Sequence, residues 1–405
     1  MPSIKVTEDN RQTIIESLLN DDAYHIEFNG HLTNHVKHAV VALSGLGASA
    51  SVIKAYYENY ARLTPYGYGL EPARGSKYTI TKTNWTTYLG QRTSYSSYYE
   101  FFDQEEKELG KDELLKRYLP LLLPGWTGSL THAAIHLGWA LDINNRCMMI
   151  EGLAYMAFSY VSCHPERGQK TIIHSDSSVL DSLVRIAKEW ENQQETLPQK
   201  IEHLIDKPLE ENETIHPELY RSGLQFRIAK MLLAGHPLMY ETPAWIENEK
   251  ISVIWQQLHY VITLMYMAEP GDFLVLHFIT SLHAMEQFKH WLPEEQQRDI
   301  IKCFWTGTLG ILFSRATFFS SAKLQALDAQ YKNKIDGVDQ LIESDWENII
   351  NNSFKEEEEH NPKMVYVLRL MWNRSGYYSI FRLAARYFTT TPMLPKSFEI
   401  PPVIS

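Results

Sequence analysis

Along most of its length this chain repeats apolar side chains at the spacing of an α-helix, and it has no regular series of alternating β-branched runs joined by hairpin turns. The pattern predicts an all-α fold: a single large multi-helix domain spanning residues 1–405. Ile14, Ile15, Leu18 and Leu19 open the series as an amphipathic helix. Further helices are expected over 31–46, 105–121, 127–141, 147–160, 178–191, 222–233, 245–267, 271–285, 294–317, 362–374 and 375–387. The segment 127–141 is apolar nearly all round and belongs in the interior. Residues 192–219, rich in Glu, Gln and Pro, read as a polar insert, and 322–359 as polar helices. The acidic run Glu356–Glu359 that ends them reads as a solvated face. The tail 389–405 carries four prolines and is expected to wrap the surface in extended form.

Composition narrows the class. With 405 residues, 44% hydrophobic and 21% charged, the chain can bury a large core without disulfides or structural metals, so a metal here serves chemistry rather than folding. A net charge of −11 argues against a broad nucleic-acid surface. Three cysteines, none in a CxxC pair, fit a reducing, cytoplasmic setting. Residues 1–22 are polar and lack a signal-peptide core. The longest apolar stretches, 251–268 and 273–279, are interrupted or fall short of the roughly 18 residues of a membrane span.

Several motifs fail on their context. Gly45-Leu-Gly47-Ala-Ser-Ala50 matches a dinucleotide-binding pattern, but a helix precedes it where a strand is required, so its glycines read as a helix C-cap. His132-Ala-Ala-Ile-His136 has the spacing of a zinc-protease helix, yet Ala133 stands where that chemistry needs a glutamate base. Sixteen histidines against three cysteines point instead at imidazole.

His35 borders the apolar face made by Val36, Ala39, Leu43 and Leu46, at about 100° per residue. His132 and His277 sit on two other apolar helices. Neutral imidazole is the commonest metal ligand and suits iron, zinc or copper. In His360-Asn-Pro-Lys363, the proline belongs in a first helical turn, and Lys363 shares a stripe with Val367, Leu370 and Met371. A buried lysine has a lowered pKa, and its neutral amine can add carbon dioxide to become an anionic carbamate. Such a ligand would offset the charge that four neutral imidazoles leave on a divalent ion. No Asp or Glu is expected near the histidines on these stretches.

Six short pieces in order carry a resemblance. They are Asn34-His35 with Ala42-Leu43 and Leu46-Gly47; Trp85 with Leu89-Gly90; Thr131-His132-Ala-Ala-Ile135; Glu151-Gly-Leu-Ala154 with Tyr160; His277-Phe-Ile-Thr280; and Glu359-His360-Asn-Pro-Lys363. The chain resembles the questin oxidase-like family. The resemblance implies a mononuclear non-haem iron (Fe2+) oxygenase with a buried metal site between helices. Its ligands would be His35, His132, His277, His360 and Lys363, the last as a carbamate formed with CO2. His38 and His136 are further histidines that could compete for those roles. Five protein ligands would leave one octahedral position where a facial triad leaves three. The implied partners are O2 and an aromatic or polyketide-like small molecule, with ring or carbon–carbon cleavage as the outcome. Tyr66, Tyr68, Trp85, Tyr88, Trp126, Trp139 and Tyr155 supply aromatic surface for it. No flavin or nicotinamide motif is present, and NADPH from solution stays open as an electron source. Two other readings compete: a zinc hydrolase, and a non-catalytic helical interaction protein of the same fold.

Overall fold

A computed structural model describes residues 8–168, 175–208, 215 and 223–392. The fold is all-α, with one two-stranded hairpin among the described residues. Helix α1 (Glu8–Leu19) leads into β1 (Glu27–Phe28) and β2 (Leu32–Thr33), paired antiparallel with Phe28 opposite Leu32. Asn29 and Gly30 take φ of 49° and 79°, the left-handed backbone that a tight Asn-Gly turn favours. The hairpin shortens the helix expected over 31–46. Helix α2 covers only Val36–Gly45, and His31 lies in the turn. The helix ends as expected, with Gly47 at φ 86° just beyond it.

The periodicity did not reveal α3 (Ala50–Arg62), whose N-cap Ser49 accepts from the Val52 backbone N–H. The helix expected over 105–121 belongs to two, α4 (Tyr95–Leu109) and α5 (Lys111–Leu122), parted at Gly110 with φ 76°. Helices α6 (His132–Asp142), α7 (Arg146–Phe158) and α8 (Val179–Asn192) follow. Within the supposed polar insert, α9 (Leu197–Asp206) buries Leu197, Ile201 and Ile205 on one stripe. The rest of that insert at 209–214 and 216–219 lies outside the described residues. After α10 (Gly223–Ala234), the span 245–267 divides into α11 (Ala244–Asn248) and α12 (Ile251–Ala268), because Glu249 and Lys250 are extended. The remaining helices are α13 (Phe273–Phe288), α14 (Glu294–Phe313), α15 (Ser321–Tyr331), α16 (Gln340–Ser353), α17 (His360–Arg374) and α18 (Ser379–Ala384). Of the tail, 393–405 lies outside the described residues. Thr389 is pinned, its N–H to Asn361 Oδ1 at 2.9 Å and its hydroxyl to the Gly271 carbonyl at 2.7 Å. No described helix is long and apolar enough to cross a membrane.

Helix α6 is the axis. Every residue from His132 to Leu141 is buried, as its all-round apolar sequence requires. It packs on α7 on one side and α13 on another, while α17 packs on α2 and α13. Two glycines make the packing close. A Cβ at Gly138 would stand 2.3 Å from the Ala284 carbonyl oxygen of α13, and one at Gly152 of α7 would stand 2.6 Å from the Leu137 Cα. Both obstacles are backbone, which cannot turn aside. Gly138→Ala therefore forces α6 and α13 apart. It should lower unfolding free energy by at least about 1–3 kcal/mol, read as an earlier denaturant midpoint at unchanged slope. An unchanged midpoint would contradict this packing.

Candidate metal centre

Four helices each bring one histidine to a common point. His35 is the N-cap of α2, His132 opens α6, His277 lies on α13 and His360 opens α17. All four are buried. His132 is aimed by an unusual turn, in which Ser129, Leu130 and Thr131 all take positive φ, at 50°, 50° and 68°. Left-handed backbone costs about 1–2 kcal/mol per residue with a side chain, so something must hold the turn. Buried Arg92 and Glu27 form an ion pair beside it. Ser129 Oγ donates to Glu27 Oε1 at 2.7 Å and accepts from Arg92 Nη1 at 3.0 Å. Tyr155 OH donates to the same Glu27 oxygen at 3.1 Å. The Ser129 carbonyl, thus fixed, accepts the His132 Nδ1–H at 2.5 Å.

The hydrogen bonds decide where the lone pairs point. A carbonyl oxygen can only accept, so His132 carries its proton on Nδ1. The same holds for His277, whose Nδ1 donates to the Phe273 carbonyl at 2.6 Å. The Nε2 atoms of His132 and His277 are then both lone-pair atoms, and they face each other at 2.9 Å. Two lone pairs at that distance repel unless a cation accepts both. His360 Nδ1 is hydrogen-bonded to the Glu358 carboxyl, which burial pushes up, and its Nε2 is buried with no partner. Ligand atoms of His35, His132 and His360 lie within 4.8 Å of one another. Around an ion with bonds near 2.1 Å, neighbouring ligands stand about 3 Å apart and opposite ones about 4.2 Å. The donor set, its spacing and the orphaned nitrogen fit a metal ion.

The electrostatics agree. Burial first, then the neighbouring histidines and Lys363, against which a further positive charge would be repelled, pushes all four imidazoles well below the ordinary histidine range. Neutral imidazole is the form that binds metals. His38 and His136 stand behind His35 instead of in the cluster. His38 Nε2 is 2.9 Å from His136 Nδ1, and His136 Nε2 is 3.0 Å from Glu151 Oε2.

Helix α17 starts at His360, so Pro362 falls in its first turn and needs no backbone N–H partner. Lys363 is fully buried, with Nζ 2.9 Å from His35 Nδ1. Burial pushes its ammonium down to about 8, against the opposing pull of Glu359 and Glu358. All five residues singled out from the sequence therefore come together.

The expectation of no carboxylate nearby is overturned. Glu358 and Glu359 are buried, and of the acidic run only Glu357 is exposed and Glu356 half-buried. Glu359 Oε1 lies 3.6 Å from His35 Nε2 and 3.7 Å from His360 Nδ1, and neither of its oxygens has a hydrogen bond. Burial and then Glu358 push the Glu359 carboxyl well up. The run turns inward because α17 begins right after it and carries its first residue, His360, into the core. Glu359 stands four residues before Lys363, a spacing that could have flagged it.

Phe273 is a second omission. Half-buried, it sets its ring 4.7 Å from His277 and 4.9 Å from His360, centroid to centroid. Its position four residues before His277 was the available signal. Of the expected aromatics, Trp85 packs on Tyr118, Trp126 on Phe304, and Tyr155 belongs to the Glu27 network, while Tyr68 is exposed. Trp139 flanks His38 at 5.9 Å. A groove of about 480 Å³ between Tyr78–Thr83 and α4 includes none of the five residues in its lining.

The sequence matches the questin oxidase-like family over residues 32–368. The chain belongs to the questin oxidase-like family. A curated relative, the Baeyer-Villiger oxidase AgnL3 of Paecilomyces divaricatus, is 28% identical over 139 residues, 32% of this chain and 29% of the relative. The match thus spans less than a third of that relative's length.

Two outcomes are expected of this questin oxidase-like chain. Glu27→Gln leaves Arg92 buried without its anion and should cost about 3–5 kcal/mol in urea unfolding; a loss under 1 kcal/mol would mean the pair does not hold the turn. For Lys363, only the neutral amine adds carbon dioxide, and the neutral fraction grows as pH rises through about 8. At fixed dissolved 13CO2, the carbamate carbon signal should therefore increase from pH 7 to 9 and vanish in Lys363→Ala. A signal that falls over that range would refute the assignment.

Proposed function

We propose that this chain is an oxidoreductase: a dioxygen-using oxygenase with a mononuclear non-haem Fe2+ centre held by His35, His132, His277, His360 and the carbamate of Lys363. Its substrate is a planar aromatic or polyketide-like small molecule, with insertion next to a carbonyl, ring opening or carbon–carbon cleavage as the outcome. The observation that carries the reading is the buried cluster of His35, His132 and His360, whose ligand atoms lie within 4.8 Å of one another, with His277 Nε2 2.9 Å from His132 Nε2. Membership of the questin oxidase-like family and the similarity to a Baeyer-Villiger oxidase support the class of chemistry.

Iron bound there would supply the one-electron steps that let a spin-paired organic molecule react with dioxygen. The remaining work falls to this chain's own side chains. Burial of every donor keeps bulk water from the reacting atoms. Phe273 meets His277 and His360 edge to face and gives the centre an aromatic neighbour for a planar substrate. Tyr56 and Tyr66 are half-buried, and burial followed by the Glu359 carboxyl pushes their hydroxyls up, so they are neutral phenols. Tyr56 OH donates to the Glu357 carbonyl at 3.4 Å, and the Tyr66 hydroxyl can donate to a phenolic or quinone oxygen.

The electrons come from outside the chain, with NADPH one source. We read residues 1–405 as one unit, because the proposed ligands come from α2 and α6 in one half and α13 and α17 in the other. The free cysteines suit the cytoplasm.

Elemental analysis of untagged protein, with anomalous scattering at the iron edge, tests the proposal. About one iron per chain at the four-histidine point is expected, and His132→Ala should remove it. Zinc there would favour a hydrolase, and an empty site with intact histidines a non-catalytic protein.

A further inference from the structure

The last described residues read Thr389-Thr390-Thr391-Pro392. β-Branched residues, and the residue before a proline, favour extended backbone, in which neighbours point to opposite faces. The strap they form shows that alternation: Thr389 is buried, Thr390 exposed and Thr391 half-buried. Each inward hydroxyl lands two residues before a helix that bears a proposed ligand. Thr389 donates to the Gly271 carbonyl ahead of α13 at 2.7 Å, and Thr391 donates to Glu358 Oε2 ahead of α17 at 3.1 Å. Buried Asn361 sets the register between them. Its Oδ1 accepts the Thr389 N–H at 2.9 Å and its Nδ2 donates to the Thr389 carbonyl at 3.1 Å, as a neighbouring strand would. Gly271 leaves room for the crossing. Its φ is 80°, and a Cβ there would stand 3.2 Å from the Phe388 carbonyl oxygen.

Glu358 is where the strap reaches the centre. Its Oε1 is hydrogen-bonded to His360 Nδ1, and its Oε2 is the atom that Thr391 holds. The torsion that turns a histidine ring is soft and roughly two-fold, so packing alone selects its direction weakly. A half-turn about the Cβ–Cγ bond would exchange Nδ1 with Cδ2 and put Cε1 where Nε2 stands. A ring carbon makes no such bond to a carboxyl group. Glu358 therefore selects the direction in which the buried, unpartnered Nε2 faces the cluster. That selection is the same whichever of the two groups carries the shared proton, because only the ring's direction is at stake.

We infer that Thr391 is a positioning residue for the metal centre: kept in register by Thr389 and Asn361, its hydroxyl holds Glu358, and Glu358 holds the His360 ring with Nε2 toward the ion. The inference rests on the proposed metal centre for its purpose. Groups that orient a metal-binding histidine from behind govern affinity without touching the ion.

Thr391→Val removes the hydroxyl at nearly constant shape. Titrated with Co2+, the full-length variant should bind about 3- to 10-fold more weakly than wild type, the worth of one hydrogen bond. Thr389→Val lets the register slip and should weaken binding in the same direction. Thr391→Ser keeps the hydroxyl and should bind as wild type does, as should Thr390→Val on the outward face. Metal-free protein labelled with 15N-histidine gives a reading that needs no metal. The His360 ring resonances should move in Thr391→Val and stay in place in Thr391→Ser and Thr390→Val. Unmoved His360 resonances or wild-type Co2+ affinity in Thr391→Val would overturn the inference, and so would an equal loss of affinity in Thr391→Ser. If wild type itself binds no Co2+, the metal centre falls, while the His360 resonances still decide whether Thr391 sets that ring.

Discussion

Two imidazole lone pairs held 2.9 Å apart in a dry core are the demand that the surrounding structure serves. Left alone they repel, so the backbone must be held firmly enough to keep them facing. Gly138 lets α6 and α13 approach backbone to backbone, and Gly152 does the same for α6 and α7. The three left-handed residues before His132 swing its ring toward His277, and they persist because Glu27 and Arg92 lock Ser129 from the side. Strain of this kind survives only where its surroundings over-determine it.

Charge is the second demand. Lys363 and Glu359 are buried beside the imidazoles, and burial pushes both toward their neutral forms. A bound divalent ion would invert that preference and favour the carboxylate and the carbamate together. A carbamate answers the charge of a divalent ion where no carboxylate stands near the histidines. With Glu359 beside His35 and His360, the centre has a second source of negative charge, and Lys363 need not supply all of it.

Two buried ion pairs support the centre from different sides, Glu27–Arg92 under the His132 turn and Glu151–Lys37 behind His35. Buried ion pairs are poor sources of stability, since desolvation offsets most of their attraction. Their value here is direction. Glu27 and Arg92 hold Ser129, whose carbonyl takes the His132 Nδ1–H, and Glu151 holds His136 behind His35.

Much of this was legible in the sequence. The 3.6-residue period specified helices, and the all-round apolar 127–141 segment specified the central one, although its first five residues form the turn before His132. Histidines on separate apolar stretches, and a lysine in phase with Val367, Leu370 and Met371, marked the five residues that meet, with the family resemblance joining them into one set. Backbone punctuation was harder to see: the Asn29-Gly30 hairpin, the break at Gly110 and the extended Glu249-Lys250 each cut an expected helix, because apolar period says nothing about φ. Only the tertiary structure separated His38 and His136 from the cluster and buried Glu358 and Glu359. Period reports which face of a helix a residue occupies. Which atoms meet across that face depends on where each helix starts and how closely its neighbours approach, and those are settled by packing between segments hundreds of residues apart.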